Sequence, residues 1–322
     1  MSSVICTLFE NRYHYGVAAL INSLYKQGFR GDIYAGYKGD LPAWAKAAQE
    51  VNSSWIGSRT LKVTESLQLH FLPLTTDYHL TNYKPDFMLS LLDGPAKQAN
   101  CLYYFDPDIT VIAPWKFIER WAEGGVAVCE DVNSPLPQHH PHRVAWRKTF
   151  KDAGIYLNFK EAFYANGGYL GLCKRDFAFL NVWKAVQEAM GEHIGGLNRS
   201  IFKSYAALAP DAQGPFAPFG RTDQDALNAA MEAWDGSVSL IGKEAMAFIP
   251  GGAIMPHALG SPKPWDWKPL SRAFSGRPPR IMERKYWESA QGPINLYSNR
   301  TIVYKKFSIS IAALIGRFYK RA

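Results

Sequence analysis

The segment CLYYFDPDITVIAP, residues 101–114, places two aspartates at the end of a strongly apolar run. Cys101 to Phe105 is apolar and aromatic, which is typical of a buried β-strand. Pro107 lies between Asp106 and Asp108 and has no N–H to donate to a neighbouring strand. The chain must therefore bulge or turn there, and the segment predicts a buried strand that ends with two carboxylates close together.

Apolar runs typical of strands alternate along the chain with runs typical of helices. Before this segment, VICTLF, DIYAGY and LKVTESLQLHFLPL predict strands, and YGVAALINSLYKQG, PAWAKAAQEV and KPDFMLSLLDG predict helices. After it, GGVAVCED and GGYLGLCKRD predict strands, and DFAFLNVWKAVQEAM predicts a long helix. This order predicts an α/β fold with a mainly parallel sheet and helices on both faces. Ligands of such sheets bind beyond the carboxyl ends of the strands, where the two aspartates stand.

Composition narrows the class of protein. The 322 residues are 47% hydrophobic and 20% charged, which is typical of a globular chain and excludes a disordered one. No apolar run approaches the ~20 residues of a spanning helix, and MSSVICTLFENRY lacks the pattern of a secretory signal. Four cysteines lie in apolar stretches without a CxxC pair, which predicts buried reduced thiols and a cytoplasmic protein.

Positive charge is concentrated in the last part of the chain. Residues 263–322 carry 13 Lys and Arg against 3 Asp and Glu, whereas the whole chain has a net charge of +8. This asymmetry predicts an anionic partner for the C-terminal segment. In residues 300–322, about ten apolar positions between basic groups are too few to span a bilayer but fit a helix on an anionic membrane surface. The alternative is a helix packed on the catalytic domain. The basic groups are Lys305, Lys306, Arg317, Lys320 and Arg321.

A divalent cation bound between the two aspartates would remove the repulsion between their carboxylates. Carboxylates that converge without a basic neighbour repel each other, and hard oxygen ligands suit Mg²⁺ or Mn²⁺. The stretch PHALGSPKPW adds three matching features: a nitrogen ligand at His257, a flexible backbone at Gly260 and a positive charge for phosphate at Lys263. The alternatives are a solvated turn for the aspartates and a surface loop for this stretch.

Three segments, FDPDITVI, TDQDALNAA and HALGSPKPW, resemble the motifs of the family 8 retaining glycosyltransferases. That family includes glycogenin and the bacterial lipopolysaccharide galactosyltransferases and glucosyltransferases. The arrangement His-x-x-Gly-x-x-Lys-Pro-Trp is intact from His257 to Trp265, and the opening CTLFENRYHYGVAALINSL resembles the family's uridine-binding strand and helix. The resemblance spans about residues 4–265. It implies a GT-A-type fold that transfers a hexose from a UDP-sugar to a glycan or lipid-linked acceptor in bacterial surface polysaccharide or lipopolysaccharide synthesis.

The resemblance also implies roles for individual residues. Asp106, Asp108 and His257 would hold Mn²⁺ or Mg²⁺ on the donor diphosphate, and Lys263 would neutralise the leaving UDP beside Gly260. The residues implied around the uracil, the ribose and the donor are Thr7, Leu8, Asn11, Tyr15 and Lys84, with Tyr13 as the alternative to Tyr15.

A catalytic set follows from the same resemblance. Asn166 would meet the donor sugar, Asp223 would contact its hydroxyls, and Gln224 would lie under the anomeric carbon, with Asp225 completing the motif. The alternative is that Asp223 or the preceding threonine simply caps a helix.

The predicted organisation is a nucleotide-sugar domain over residues 1–265 and a basic extension over residues 266–322. Within the domain, residues 133–165 are predicted to form an insertion or flap, where Trp146 and Arg147 would bind an acceptor sugar. The alternative for the flap is a metal site at His139, His140 and His142. The expected location is the cytoplasm, at the inner face of the plasma membrane, and no nucleic-acid partner is expected.

Two other functions compete with glycosyl transfer. A sugar nucleotidyltransferase would carry a Gly-rich, basic loop after the first strand, and FENRYHYG has one Gly and does not match. A non-catalytic nucleotide- or glycan-binding protein would have no need of the complete set of acidic, amide and basic residues above.

Overall fold

A computed structural model describes residues 2–51, 53–200 and 217–318 of the chain. The strands in these residues are β1 (Ser3–Glu10), β2 (Gly31–Lys38), β3 (Gln49–Glu50), β4 (Arg59–Thr64), β5 (Leu67–Pro73), β6 (Cys101–Phe105), β7 (Val126–Cys129), β8 (Tyr169–Cys173) and β9 (Val238–Ile241). The α-helices are α1 (His14–Lys26), α2 (Lys84–Asp93), α3 (Trp115–Ala122), α4 (Pro141–Asp152), α5 (Phe179–Ile194), α6 (Thr222–Ala233), α7 (Pro269–Phe274), α8 (Ile281–Ser289) and α9 (Asn299–Ile315).

The strands form one sheet with the order β3-β4-β5-β2-β1-β6-β8-β7-β9. Strands β5, β2, β1 and β6 pair in parallel, and β7 pairs in parallel with β9. Only β4 and β8 run antiparallel to both of their neighbours. The predicted α/β fold with a mainly parallel sheet is therefore confirmed.

The two faces of the sheet are covered by separate hydrophobic clusters. In β1, Val4, Cys6 and Leu8 belong to the cluster that includes side chains of α2, α5 and α6. Ile5 and Phe9 belong to the cluster that includes side chains of α1 and α3. Successive side chains of a strand point to opposite faces, so this alternation is expected for a sheet buried on both sides. It confirms the predicted helices on both faces.

One edge of the sheet collects the functional segments. The carboxyl ends of β1 and β6 lie there because these strands pair in parallel. The amino end of the reversed strand β8 lies there too, since Tyr169 pairs with Phe105 at the end of β6. Residues that follow β6 and residues that precede β8 are therefore neighbours, although about sixty positions separate them in sequence.

The predicted helix PAWAKAAQEV is wrong. The chain forms only a 3-10 turn at Ala43–Ala45 and then extends into β3, which pairs with β4. The turn is closed by i→i+3 bonds, from the Ala45 N–H to the Pro42 carbonyl and from the Ala48 N–H to the Ala45 carbonyl. Pairing with β4 takes up Gln49–Glu50, which leaves the segment too short for an α-helix.

Residues 133–165, predicted to be a flap, contain the packed helix α4. Trp146 is fully buried and donates its indole N–H to the Pro218 carbonyl, so the prediction that it stacks on an acceptor sugar is wrong. Arg147 donates to the Gln138 carbonyl. At the start of the helix, His140 accepts a hydrogen bond from the backbone N–H of His142 (3.2 Å) and so caps α4.

The prediction of four reduced thiols is wrong for one pair. Cys101 and Cys173 are direct neighbours across β6 and β8, with Cα atoms 4.0 Å apart, and form a disulfide. Cys6 and Cys129 are buried free thiols. The pairing depends on the register of two strands 72 residues apart, which spacing in the sequence does not indicate. The expected cytoplasmic location rested on four reduced cysteines, and the disulfide removes that argument.

The C-terminal segment packs on the rest of the chain. Helix α8 lies against α1, and α9 lies against α7 and α8. The Asn22 side chain donates to the carbonyls of Ser289 (2.9 Å) and Ile294 (2.8 Å). A third hydrophobic cluster joins these elements and consists of Ala19, Trp265, Trp267, Tyr286, Trp287, Ala290 and Ile309. None of the helices in the described residues is long and apolar enough to cross a bilayer.

Candidate active site

The two aspartates stand on a tight turn at the end of β6. The Asp106 N–H donates to the Gly168 carbonyl (2.7 Å), and the Ile109 N–H donates back to the Asp106 carbonyl (3.1 Å). Pro107 supplies no donor, so the chain leaves the sheet here. Ile109 then forms an isolated antiparallel bridge with His257. The turn and the bridge bring a distant histidine to the acid pair.

Asp106, Asp108 and His257 form the one group of three potential metal ligands found in the described residues. One ligand atom of each lies within 4.8 Å of the others. His257 Nε2 is 3.2 Å from Asp108 Oδ1 and 3.8 Å from Asp106 Oδ2. Two carboxylates and an imidazole suit Mn²⁺ or Mg²⁺, so the residues present fit the predicted metal.

Hydrogen bonds behind His257 orient its ring. Asn166 donates its amide to Asp131 Oδ2 (2.6 Å) and to Gln224 Oε1 (3.1 Å), so its own Oδ1 faces His257 Nδ1 (3.1 Å) as an acceptor. His257 must therefore donate through Nδ1, which directs Nε2 at the aspartates. This is the arrangement that fixes a metal-ligating imidazole in proteins.

Each aspartate has a lysine partner from a distant part of the chain. Lys263 Nζ donates to Asp108 Oδ2 (2.5 Å) and to the Ala258 carbonyl (2.8 Å). Lys84 Nζ lies 3.2 Å from Asp106 Oδ1 and 3.1 Å from Asp223 Oδ2. The expectation of an acid pair without a basic neighbour is therefore wrong, because the compensating charges arrive through the fold and not through the local sequence.

These charges decide the ionisation of the acids. Burial raises the pKa of Asp108, but the charges of His257 and Lys263 outweigh burial and hold it well below its ordinary value. At Asp223, burial prevails over the charge of Lys84 and raises the pKa of the carboxyl. Burial works against the charged form of Lys84, but Asp106 and Asp223 prevail and raise its pKa, so it stays protonated.

The first turn of α6 carries the predicted catalytic motif. Asp223 Oδ1 is buried without a hydrogen-bond partner among the described residues, which leaves an acceptor available to a ligand. Asp225 is occupied differently: it accepts from the Tyr164 hydroxyl (2.7 Å) and from the N–H groups of Gly220 and Arg221 (both 2.8 Å). Burial raises the pKa of Asp225 to about 6. Asp225 thus holds the start of the helix, while Asp223 and Gln224 adjoin Lys84 and Asn166.

The segment predicted to bind the nucleotide divides into buried and exposed parts. Thr7 and Leu8 are buried inside β1, whereas Asn11 is exposed at its end with a φ of 49°. The ring of Tyr15 stacks on Tyr297 (5.7 Å between centroids) within the C-terminal elements.

Tyr13 is the tyrosine beside the acid pair. Lys263 Nζ lies 5.6 Å from the centroid of its ring, and the ring contacts Trp265 edge-on. Tyr13 is 37% exposed, so one side of its ring remains accessible. Of the two tyrosines weighed for stacking on a base, the structure places Tyr13 next to Lys263.

Two glycines permit the close approach of the site segments. A Cβ on Gly168 would lie 2.5 Å from His257 Cε1, and a Cβ on Gly16 in α1 would lie 2.1 Å from the Pro107 carbonyl oxygen. Gly260 has a different role: its φ of 75° favours glycine, and nothing lies within 4 Å of its Cβ position. Its backbone is therefore open to a ligand beside Lys263.

We expect Gly16→Ala to distort the Asp-Pro-Asp turn. Alanine is a better helix former than glycine by about 1 kcal/mol, so helix propensity alone would stabilise the variant. A net loss of stability would therefore come from the steric clash with Pro107. We expect a loss of about 1–3 kcal/mol in the free energy of unfolding, measured with urea, and weaker Mn²⁺ binding. Gly252→Ala is the control, since nothing lies within 4 Å of its Cβ. Unchanged stability and metal binding in the Gly16 variant would contradict this reading of the turn.

Several residues around the site were not predicted. The Tyr104 hydroxyl donates to Asp106 Oδ1 (2.7 Å), and Asp131 accepts from Asn166. Asp131 follows β7 at the same edge of the sheet, so the rule that ligands bind beyond strand ends would have found it. Tyr104 has no such signal, because it lies within the apolar run of β6.

Comparisons with known proteins show a structural likeness but no likeness in sequence. No protein-family model matches the chain, and no curated protein matches its sequence. The solved structure of the glycosyltransferase GlyE from Streptococcus pneumoniae TIGR4 is similar with a TM-score of 0.49 and 15% identity. The match covers 96% of this chain and 64% of that one, so the chain spans less than two thirds of the length of GlyE. Membership of glycosyltransferase family 8 therefore stays a prediction.

Proposed function

We propose that the protein is a metal-dependent retaining glycosyltransferase that moves a hexose from a UDP-sugar to a glycan or lipid-linked acceptor. The observation that carries the proposal is the convergence of Asp106, Asp108 and His257 with Lys263 at one edge of the sheet. Such an edge is where α/β folds bind their ligands. A bacterial surface polysaccharide or lipopolysaccharide is the product class that the sequence motifs suggest.

Asp106, Asp108 and His257 would hold Mn²⁺ or Mg²⁺. When bound, the metal supplies a Lewis acid that neutralises charge on the diphosphate of the donor. Asn166 fixes the His257 ring for this role through the Nδ1 contact (3.1 Å). Tyr104 and Lys84 hold Asp106 in place from the other side (2.7 and 3.2 Å). The chain's own contribution here is a set of ligands that need little reorganisation.

Lys263 would stabilise the charge that develops on the leaving UDP. Its ammonium group is fixed by the Ala258 carbonyl (2.8 Å), so it can turn from Asp108 to a phosphate oxygen without losing its anchor. The open backbone at Gly260 lets the diphosphate approach the same loop. Tyr13, rather than Tyr15, would stack on the uracil, and the nearness of its ring to Lys263 supports this choice.

Asn166, Asp223 and Gln224 would form the sugar side of the site. Asp223 has a free acceptor atom for a sugar hydroxyl, and Gln224 is held by Asn166 (3.1 Å). Asp223 is paired with Lys84 (3.1 Å), which makes it a poor nucleophile at the anomeric carbon. This favours same-face attack by the acceptor, with the leaving phosphate as base, over a covalent enzyme intermediate.

Hydrolysis of a panel of UDP-sugars tests the proposal. In the presence of Mn²⁺, slow release of UDP from one donor is expected, and EDTA should abolish it until Mn²⁺ is restored. Turnover of a sugar phosphate with UTP would instead identify a nucleotidyltransferase. Tight binding of a UDP-sugar without turnover, even with acceptors, would identify a non-catalytic binding protein. Full activity in EDTA would contradict the proposed metal site.

We expect Gln224→Ala to lower kcat far more than it raises the KM for the donor. An interaction made mainly in the transition state affects kcat, whereas loss of ground-state binding affects KM. Donor hydrolysis at several concentrations and calorimetry with UDP separate the two. Asn228 is a structural neighbour on the same helix, bonded to Ala165 on both its oxygen and its nitrogen (2.7 and 2.9 Å), so Asn228→Ala is the comparison that should lower stability instead. Equal loss of UDP binding in the Gln224 variant would make that residue structural.

We further propose that α9 binds an anionic membrane surface. One face of the helix packs inward through Ile302, Ile309 and Ala312. The opposite face exposes Val303, Phe307 and Leu314, with exposed fractions of 53–67%. The two alternatives for the tail were a helix packed on the domain and a helix on a membrane surface. Helix α9 is compatible with both, because one face packs on the chain and the other presents an apolar stripe.

Charge on the tail is compatible with that proposal. Lys306 and Arg317 are exposed, while Lys305 lies over the Trp287 ring (5.3 Å from its centroid). Burial and the charge of Lys268 lower the pKa of Lys305. Lys320 and Arg321 lie outside the described residues. Each basic group near an anionic leaflet contributes about 1 kcal/mol, and the effect fades within a Debye length.

Vesicles of anionic lipid should bind the wild-type protein at low salt and release it at high salt. The double substitution Phe307→Ser and Leu314→Ser should weaken co-sedimentation by about tenfold, since two partly inserted apolar side chains are lost. Ile56→Ser removes an even more exposed apolar side chain elsewhere and should leave co-sedimentation unchanged. Point substitutions are preferred to deletion of the tail, because Ile309 packs in the cluster that holds Trp265. Unchanged sedimentation of the double variant would remove the membrane proposal.

A further inference from the structure

A large cleft lies beside the proposed donor site. Its volume is about 1220 Å³, and its walls come from the loops 247–253 and 259–262 and from residues 267–288. None of the proposed metal ligands lines it. Its contents are therefore separate from the donor's metal site, although the loop 259–262 directly connects His257 to Lys263.

Basic side chains dominate this cleft. It is lined by five basic residues and by one acidic residue, Glu288. The basic residues are Arg272, Arg277, Arg280, Arg284 and Lys285. Two of these are already paired, Arg280 with Glu283 and Lys285 with Glu288.

Three arginines of the cleft lack an acidic partner. Within residues 2–51, 53–200 and 217–318, no carboxylate oxygen lies within 4.0 Å of the guanidinium groups of Arg272, Arg277 and Arg284. Three uncompensated guanidinium groups along one concave surface repel each other unless an anion joins them. Guanidinium groups match phosphate oxygens in geometry and charge, so phosphate is the ligand chemistry that fits.

The other walls of the cleft are apolar. Phe248, Ile249, Trp267, Pro278 and Pro279 line it. Trp267 and Pro279 are buried, so they form a firm wall, whereas Ile249 is 48% exposed at the opening. Aromatic and prolyl surfaces pack against sugar rings or hydrocarbon, which a free phosphate ion does not offer. The cleft therefore suits a ligand that carries phosphate on a larger, partly apolar body.

The cleft reaches the immediate surroundings of the metal site. The ring of Phe248 lies 6.1 Å from the ring of His257. Leu259, Gly260 and Ser261 line the cleft and belong to the same loop as Lys263. A ligand in the cleft would thus lie one loop away from the diphosphate of the donor, which is where the second substrate of a transfer reaction has to be held.

We propose that this arginine cleft binds the phosphate-bearing part of the acceptor. The inference rests on the proposed transferase function and adds to it the substrate class: an acceptor that is itself a phosphorylated glycan or a phosphate-linked lipid. Arg272, Arg277 and Arg284 hold the phosphate, and the wall formed by Phe248 and Trp267 packs on its carrier. The donor and the acceptor phosphate occupy adjacent sites that meet at Gly260, and they bind at the same time.

Calorimetry with tripolyphosphate in EDTA measures the anion site without the metal site. The wild-type protein should bind the probe, and the double substitution Arg277→Ala and Arg284→Ala should weaken binding by at least about tenfold, because two charge-assisted contacts are lost. Both arginines are exposed, so the variant should remain folded. Lys116→Ala with Arg120→Ala removes two exposed charges from α3 and is the matched control. Equal affinity in the arginine and control variants would overturn the proposal.

A second measurement separates the acceptor from the donor. With Mn²⁺ in excess over the probe, UDP should leave the affinity for tripolyphosphate unchanged, and the arginine variant should hydrolyse UDP-sugar at the wild-type rate. Displacement of the probe by UDP would place it in the donor site and overturn the proposal. The wild-type protein could bind the probe in the cleft and yet hydrolyse no UDP-sugar. That result would contradict the proposed transferase function and the assignment of the ligand as an acceptor, but it would still support an anion site in the cleft.

Vesicles distinguish the two sources of phosphate. If the acceptor is lipid-linked, phosphatidic acid vesicles should compete with tripolyphosphate in the wild-type protein and lose affinity in the arginine variant. If the acceptor is a soluble phosphorylated glycan, vesicle binding should depend on Phe307 and Leu314 of α9 and not on the arginines. The titration with tripolyphosphate decides whether the cleft binds phosphate, and the vesicle result then names the source of that phosphate.

Discussion

Asp108→Asn is expected to reduce hydrolysis of the UDP-sugar by at least about 100-fold, since removing even an indirect partner of a metal ligand costs 10–100-fold. The substitution removes one of the two hard carboxylates but keeps the size of the side chain. Asparagine can still accept one hydrogen bond from Lys263, and Lys263 keeps its bond to the Ala258 carbonyl (2.8 Å). The fold holds the Asp108 carboxylate charged, with a pKa well below its ordinary value, so the substitution should also lower the melting temperature. Turnover is therefore compared at a temperature where both proteins are folded.

Direct measurement of Mn²⁺ binding makes this prediction independent of the assay. Titration followed by the electron paramagnetic resonance of free Mn²⁺ should show a large loss of affinity in the variant. Asp93→Asn changes an exposed aspartate at the end of α2 and should alter neither binding nor turnover. If the Asp108 variant binds Mn²⁺ with wild-type affinity, Asp108 is not a metal ligand. If the variant loses Mn²⁺ affinity but hydrolyses the UDP-sugar at the full rate, the metal is not needed for the reaction.

Lys84→Met is expected to destabilise the protein by about 3–5 kcal/mol at neutral pH, the usual cost of breaking a buried ion pair by removing one partner. Lys84 is fully buried and lies within 3.2 Å of the carboxylates of Asp106 and Asp223. Methionine fills similar space but leaves both acids without their cation. Unfolding in urea measures the effect, with Lys97→Met as the control, because Lys97 is exposed just after the same helix.

The destabilisation by Lys84→Met should shrink as the pH falls. Burial already raises the pKa of Asp223, and removing the opposing charge of Lys84 raises it further. A carboxyl whose folded pKa lies above its unfolded value binds protons more readily in the folded state. The variant therefore gains stability, relative to the wild type, as the pH falls through that raised pKa. A penalty that stays constant from neutral to mildly acidic pH would show that lost packing, not charge, is responsible.

The sequence identified the segments that form the candidate site, but not which charged side chains pair within it. The Asp-Pro-Asp segment, the His257 loop and the α6 motif each signal their function through local residue types. Their convergence with Asn166 was implied only by family resemblance. Lys84 illustrates the limit: it is separated by more than twenty positions from Asp106, and its two acidic partners come from the turn after β6 and from α6. A residue pattern in one segment holds no information about a charge that another segment brings within 3.2 Å.

The burial of residues in the predicted flap was the second feature that the sequence did not predict. Trp146 and Arg147 sit in a stretch rich in proline and histidine, which is typical of an exposed loop. The structure instead folds it into α4 and buries Trp146 completely. The carbonyl that accepts its indole N–H belongs to Pro218, 72 residues away. The hydrophobic partners that cover the helix come from distant elements, so composition alone could not place it inside.

The sequence by itself determined the alternation of strands and helices, the mainly parallel sheet and the position of the acid pair at a strand end. These follow from periodicities of two and 3.6 residues and from turn residues such as Pro107, all of which act within a few positions. Only the tertiary structure decided the reversal of β8, the disulfide between Cys101 and Cys173, the lysine partners of the aspartates and the arginine cleft. Each of these depends on which distant segments become neighbours, because contacts across a sheet or between loops are fixed by the packing of the whole chain and leave no local pattern.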